Sequence, residues 1–310
     1  MKDDNEMLEM VKKVTNDNNA EIIDINDTFK FKCQQCGQCC MHRHDIILNP
    51  FDVYNGAKYL GITTEEFIVK YLTMNMGSNS KIPMLILNSD EKTGFCPFLE
   101  LDIKAGGKFK CSIHHAKPGA CANHPIGVIA SRKLEDELET NDSSEFTFIK
   151  VGQCENSKCD NDVLVKDWVK PYTDNANEIH MAHELQTYIT NFFMPSDYFK
   201  LCTYIINSVE SEEAASEMLQ KIKDSIKDSM KTICLNTIGL GYAEYDISKP
   251  FLEQAQQNKE SLKEFYSLIR KLYDFMLDTF NIEEGHVDEF IEQFENMDYN
   301  DKKENKTDNA

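Results

Sequence analysis

Four cysteines within eight residues, Cys33-Gln-Gln-Cys36-Gly-Gln-Cys39-Cys40, constrain this chain more than any other stretch of it. A Cys-x2-Cys turn brings two thiolates to one metal, because the intervening residues let both sulfurs point inward. Gly37 permits the backbone angles such a turn needs and leaves backbone N–H groups free to donate to sulfur. Thiols without a shared task do not need this density, so the spacing points to a metal centre.

The adjacent pair adds a geometric condition. Neighbouring side chains point to opposite faces of an extended chain and diverge by about 100° on a helix. Cys39 and Cys40 are therefore expected to serve either two metal sites or one polynuclear cluster, completed by distant cysteines. Cys96 lies in GFCPFLE, Cys111 in FKCSIHHAKPGAC, Cys121 follows ten residues later, and Cys154 lies in VGQC. These four and the four of the turn would fill two tetrahedral four-sulfur sites, or one cluster with thiolates to spare. His42, His44, His114, His115 and His124 stand near the cysteines and are substitutes, although a histidine beside a metal more often hydrogen-bonds than ligates. Lys104, Lys108, Lys110, Lys117, Arg43 and Arg132 are available to offset thiolate charge. Cys202 and Cys234 fall on apolar helical faces and read as small buried hydrophobes; Cys159 is assigned to neither group.

The N-terminus, MKDDNEMLEM, is acidic and has no apolar segment leading to a small-residue cleavage site, so no export signal is read. No apolar run reaches the roughly 18 residues that a membrane helix needs. A cytoplasmic, reducing setting is expected, where clustered cysteines signal metal or redox chemistry rather than disulfides. Lys+Arg 33 against Asp+Glu 53 gives a formal net charge of −20. Such a surface repels phosphate backbones and anionic headgroups, which argues against nucleic-acid and membrane partners. Oligomeric state is not legible.

The pattern along the 310 residues predicts an α+β chain: a loop-rich N-terminal cysteine-cluster domain with short strands and two helices, then a mainly α-helical domain. The expected divisions are a flexible arm over 1–28, the metal-binding domain over 29–170, the helical domain over 171–297 and a disordered tail over 298–310. Asn49-Pro50 opens a helix that runs to about Leu60 and stops at Gly61. Thr63 or Thr64 caps a second, with Glu66 in its first turn. Strands are expected at 29–33, 83–87, 109–113 and 146–149, and an acidic loop at 134–145. Apolar residues at steps of three and four mark one face of a helix over Leu262–Phe280 and of another through Ile222, Ile226, Met230 and Ile233.

Several chemistries fail on spacing. The ferredoxin run Cys-x2-Cys-x2-Cys-x3-Cys fits Cys33, Cys36 and Cys39 and then meets Arg43, as does a Cys-x3-Cys-x2-Cys triplet begun at Cys36. A cysteine–histidine hydrolase built on Cys121 with His124 or His114 has no use for seven neighbouring thiols. Gly239-Leu240-Gly241 follows a helical pattern and lacks a third glycine, so it reads as a helix stop rather than a nucleotide turn.

The stretches CQQCGQCC, DIILNPFDVYNGAKYLGITTEEFIVKYL, CPFLE, the Cys111–Cys121 segment and Cys154 together resemble the CxxCxxCC, or YkgJ-type, cysteine-cluster family over about residues 30–160. The resemblance implies zinc or iron, the latter including a 4Fe-4S cluster, held by Cys33, Cys36, Cys39, Cys40, Cys96, Cys111, Cys121 and Cys154. The family also takes in proteins similar to flagellin lysine-N-methylase. That relation implies, as the alternative to plain metal binding, an S-adenosylmethionine-dependent protein-lysine N-methyltransferase acting on a protein such as flagellin. Catalytic and cofactor-binding residues are not assigned by it. Two departures bear on the pocket: Lys117-Pro118 stands where the family tends to Arg-Pro, and CANHPIG replaces a more aromatic sequence after Cys121.

Overall fold

The computed structural model describes residues 12, 20–77, 83–104, 106–130, 146–150, 160–191, 195–211 and 217–292. Cys154, Cys159, Arg132, the acidic loop at 134–145, the first nineteen residues apart from Lys12, and the tail lie outside them. The fold is α+β, with short strands in small antiparallel sheets in the first half and long helices in the second. It divides into two compact units, one of residues 1–74, 85–185 and 244–255, the other of residues 75–84, 186–243 and 256–310.

In the first unit, β1 (Glu21–Ile23) pairs with β8 (Phe146–Lys150), which also pairs with β7 (Ile126–Ala130). Glu21–Ile23 lies within the stretch expected as an arm. β2 (Thr28–Lys30) pairs with β9 (Asp162–Leu164) and is shorter than the FKFKC alternation predicts. Past Lys30 the chain leaves the ladder to begin the cysteine turn, although Phe31 N–H still donates to the Asn161 carbonyl at 3.1 Å. Phe29, Phe31, Ile126, Phe148, Val165 and Val169 form the core between these strands and α4 (Val165–Thr173).

The two expected helices are present with their expected ends. Asn49 caps α1 (Pro50–Leu60): its side chain accepts from Asp52 N–H, and Asp52 returns the bond to Asn49 N–H. Gly61 ends it at φ 67°. Thr63 and Glu66 form the same reciprocal box on α2 (Thr64–Tyr71). Each box satisfies N–H groups that a helix start leaves orphaned and is worth about 1 kcal/mol. Thr64, the other candidate cap, is buried and donates to the Tyr245 carbonyl at 3.3 Å. β3 (Leu72–Met76) pairs with β4 (Pro83–Leu87), and residues 46–48 lie along β4 through Leu48 N–H to Leu85 O and Leu87 N–H to Ile46 O, both 2.9 Å.

The second unit is helical: the end of α5 (Ala176–Asn191), α6 (Pro195–Ser211), α7 (Glu217–Ile238) and most of α8 (Phe251–Phe280). Its core gathers Tyr198, Leu201, Cys202, Ile233, Tyr273, Met276 and Leu277. Leu262 and Tyr266 are buried as the periodicity predicts, whereas Leu272, Phe280 and Ile222 are exposed. Gly239-Leu240-Gly241 does not simply stop α7. It forms a π-helical turn, Gly239–Ala243, in which Gly241 lies so close to Ile189 that a Cβ would stand 2.9 Å from its Cδ1. Among the described residues no helix is long and apolar enough to cross a membrane.

Candidate metal centre

The cysteine turn lacks regular structure until Gln38–Cys40, a single 3-10 turn. Gly37 enters it at φ 78°, and Cys40 N–H donates to Gly37 O at 2.8 Å. A Cβ on Gly37 would lie 2.9 Å from Met41 Cε and 3.0 Å from the Phe109 ring. Glycine is needed here for both the left-handed backbone and the close approach.

This turn corrects the expectation for the adjacent cysteines. The 3-10 geometry does not splay them: Cys39 Sγ and Cys40 Sγ are 3.8 Å apart. Sharing one hydrogen bond raises the Cys39 pKa and lowers that of Cys40.

Main-chain hydrogen bonds stitch remote cysteines to the turn. Cys96 N–H donates to Cys40 O at 2.9 Å, His42 N–H to Gly94 O at 2.6 Å, and Phe109 N–H to Gln35 O at 2.9 Å. Cys111 ends β6 (Lys108–Cys111), opposite Leu99 of β5 (Leu99–Asp102), and Leu99 N–H donates to Cys96 O at 3.0 Å. The strand expected to reach Ile113 stops at Cys111, where the chain turns towards the 3-10 segment His114–Ala116. Cys121 sits on α3 (Gly119–Ala122).

Five thiols thus come within electrostatic reach of one another. Cys40 feels Cys121, Cys96 and Cys111; Cys96 feels Cys111 and Cys39; Cys121 feels Cys96 and Cys111. Burial raises the Cys96 and Cys111 pKa values and pushes Cys121 up to about 12. Two backbone donors work against that: the Phe98 N–H lowers the Cys96 pKa and the Ile113 N–H that of Cys111. Such N–H···S bonds favour the thiolate.

Cys33 is exposed, and Cys36 donates to the Gln38 side chain at 3.8 Å. Among the histidines, His42, His44, His114 and His115 are exposed, and His124 is half-buried. Burial, then Arg43 and Lys117, lower the His124 pKa, which keeps its imidazole neutral near pH 7. Of the expected basic partners, Arg43 acts on Cys121 and Cys39, and Lys117 on Cys39 and Cys111. Arg43 is itself held by Asp45 at 2.6 and 2.8 Å. Lys110 is engaged by Glu100 and Asp102 instead.

Asp52 carries a role that its sequence position hides. N-P-x-D signals a helix cap, which Asp52 supplies through Oδ2, but its Oδ1 also accepts from Gly119 N–H at 2.9 Å. Burial pushes its pKa up to about 6 against the pull of these two N–H donors.

The donor chemistry fits a soft, thiolate-binding ion such as Zn²⁺ or iron. The arrangement is open: among the described residues no three histidine, cysteine or acidic side chains are grouped closely enough to hold an ion as they stand.

A search of curated proteins and a search of solved structures each found no match. Residues 32–158 match the family model CxxCxxCC, described as "Putative zinc- or iron-chelating domain". The turn, Cys96, the β5–β6 hairpin and Cys121 all lie within that span.

Proposed function

We propose that the chain binds one zinc or iron ion in a thiolate centre made by Cys39 and Cys40 with ligands drawn from Cys96, Cys111 and Cys121. The observation that carries this reading is the Cys39–Cys40 pair. With metal–sulfur bonds of about 2.3 Å, two corners of a tetrahedral site are about 3.8 Å apart, and the two sulfurs are separated by 3.8 Å. Adjacent cysteines can therefore form one edge of a mononuclear site, which favours a single ion over two separate ones. Cys33 and Cys36 are further candidate ligands from the same turn.

The stoichiometry tests this. Protein purified anaerobically is assayed for zinc and iron, and sulfur-to-metal charge transfer is recorded. One ion per chain, lost in Cys39→Ser and Cys40→Ser alike, is expected. Two ions per chain, or inorganic sulfide accompanying the iron, would replace the mononuclear centre by the two-site or cluster alternative.

A further inference from the structure

Cys121 stands on a helix that cannot hold itself. α3 has four residues, and its N-terminus has no side-chain cap of its own. Isolated helices of this length are unstable in water, so the position of the Cys121 sulfur depends on what grips α3 from outside. Asp52 Oδ1 accepts from Gly119 N–H at 2.9 Å. The Tyr172 ring from α4 also lies against this residue, where a Cβ on Gly119 would stand 2.8 Å from Tyr172 Cε2. Trp168 Nε1–H donates to the Asn123 carbonyl at 2.9 Å, just after α3 ends.

The two carboxylate oxygens of Asp52 have separate tasks. Capping α1 requires only Oδ2, which accepts from Asn49 N–H at 3.1 Å; Oδ1 is what reaches α3. Placing a carboxylate beside a thiol also raises the Cys121 pKa. That works against metal loading, so the electrostatics do not explain why it is there, whereas the geometry does.

We infer that Asp52 is the positioning residue for Cys121, tying the start of α1 to the segment that presents this sulfur to the metal. The inference rests on the thiolate-centre reading above. Groups that orient metal ligands typically change affinity by about 10–100-fold when removed.

The test uses the full chain and Co²⁺ alone, whose sulfur-to-cobalt absorbance per bound ion counts the thiolates attached. Asp52→Ala is expected to lose the absorbance that Cys121→Ser loses, with Co²⁺ affinity down about 10–100-fold. The double variant should lose no more than either alone, as expected when two residues act through one contact. Asn49→Ala weakens the same helix cap without touching α3, and should keep the wild-type absorbance. Asp52→Asn leaves one acceptor oxygen and should recover part of the loss. Full absorbance in Asp52→Ala, additive loss in the double variant, equal loss in Asn49→Ala, or no recovery in Asp52→Asn would each overturn the assignment. If the wild type binds no Co²⁺, the thiolate-centre reading fails by itself. Iodoacetamide labelling of the metal-free chain then decides: Cys121 should react faster in Asp52→Ala and not in Asn49→Ala, and an unchanged Cys121 rate in Asp52→Ala would count against the role.

Discussion

The backbone N–H of Cys96 donates to the carbonyl oxygen of Cys40 at 2.9 Å. Two cysteines far apart in sequence are thus joined through main chain, not through their sulfurs. Replacing either sulfur leaves that bond in place. Cys40→Ser and Cys96→Ser are expected to keep the far-ultraviolet circular dichroism of the metal-free chain while losing bound zinc or iron. Metal content measured on folded variants checks this, and full metal in both would remove these residues from the centre. The wild type should gain stability from the metal that the variants cannot, since binding to a site absent from the unfolded chain adds to folding free energy.

Proton release should accompany loading. Burial, the largest cause in each case, holds Cys96 and Cys111 above their ordinary 9.0 and pushes Cys121 up to about 12. At neutral pH these are thiols, and each must shed its proton to bind. Metal affinity is therefore expected to rise from neutral to mildly alkaline pH, with proton release visible as buffer-dependent heat in calorimetry. The metal-free fold behaves oppositely. A raised folded-state pKa contributes stability below 9.0, and for Cys121 that contribution is lost as pH climbs from 9.0 towards about 12. A pH-independent affinity would show that other groups hold the ion.

Gly37→Ala should damage the turn rather than the surrounding fold. A non-glycine residue at φ 78° carries a backbone cost of roughly 1–2 kcal/mol, and its Cβ would press on Met41 Cε at 2.9 Å and Phe109 at 3.0 Å. The Met41 end can yield, but the Phe109 ring is stacked edge-on against Phe95, centroids 5.9 Å apart. The expected result is weaker metal binding with a modest fall in melting temperature. Thermal melts with and without zinc separate the two effects, because the zinc-dependent increment should shrink more than the metal-free melting point falls.

The ends of α1 and α2 were legible because capping is local: Asn49 with Asp52 and Thr63 with Glu66 act within three residues. The long helices were legible for the same reason, through periodicity. The arrangement of Cys39 and Cys40 was not. Their contact depends on a 3-10 turn entered through Gly37 and tied to Gly94 and Phe109, and a rule for extended or α-helical neighbours does not apply to it. β1 and β7 were missed because each is short and is fixed by pairing with β8 rather than by alternation. The second role of Asp52 was invisible for a similar reason, since nothing near it in sequence announces Gly119.

Thr63→Ala separates helix stability from the metal centre. It removes the side-chain acceptor for Glu66 N–H, 3.1 Å away, and leaves the cysteine turn alone. A loss of about 1 kcal/mol is expected, read as a shifted denaturant midpoint at constant slope. Zinc affinity per folded chain should be unchanged. A changed affinity would mean that α2 helps to set the site.

The eleven cysteines fall into different physical classes, and Cys202→Ser tests that division. Cys202 is 0% exposed and packed with Tyr198, Leu201, Ile233 and Tyr273 in the helical core. Burial pushes its pKa up to about 12, so it stays a neutral thiol across the physiological range. Serine is similar in size but brings a hydroxyl that must find a partner. The Tyr198 hydroxyl, already within hydrogen-bonding reach of the sulfur, limits the penalty to about 1 kcal/mol. Cys202→Ser should therefore melt earlier than the wild type while holding the same amount of metal, and its native-state labelling by iodoacetamide should match the wild type. Cys121→Ser should do the reverse, losing metal with a smaller effect on the metal-free melt, because its sulfur lies at an open centre rather than in a closed core. Metal lost from Cys202→Ser would place this thiol with the ligands and break the division between the two classes.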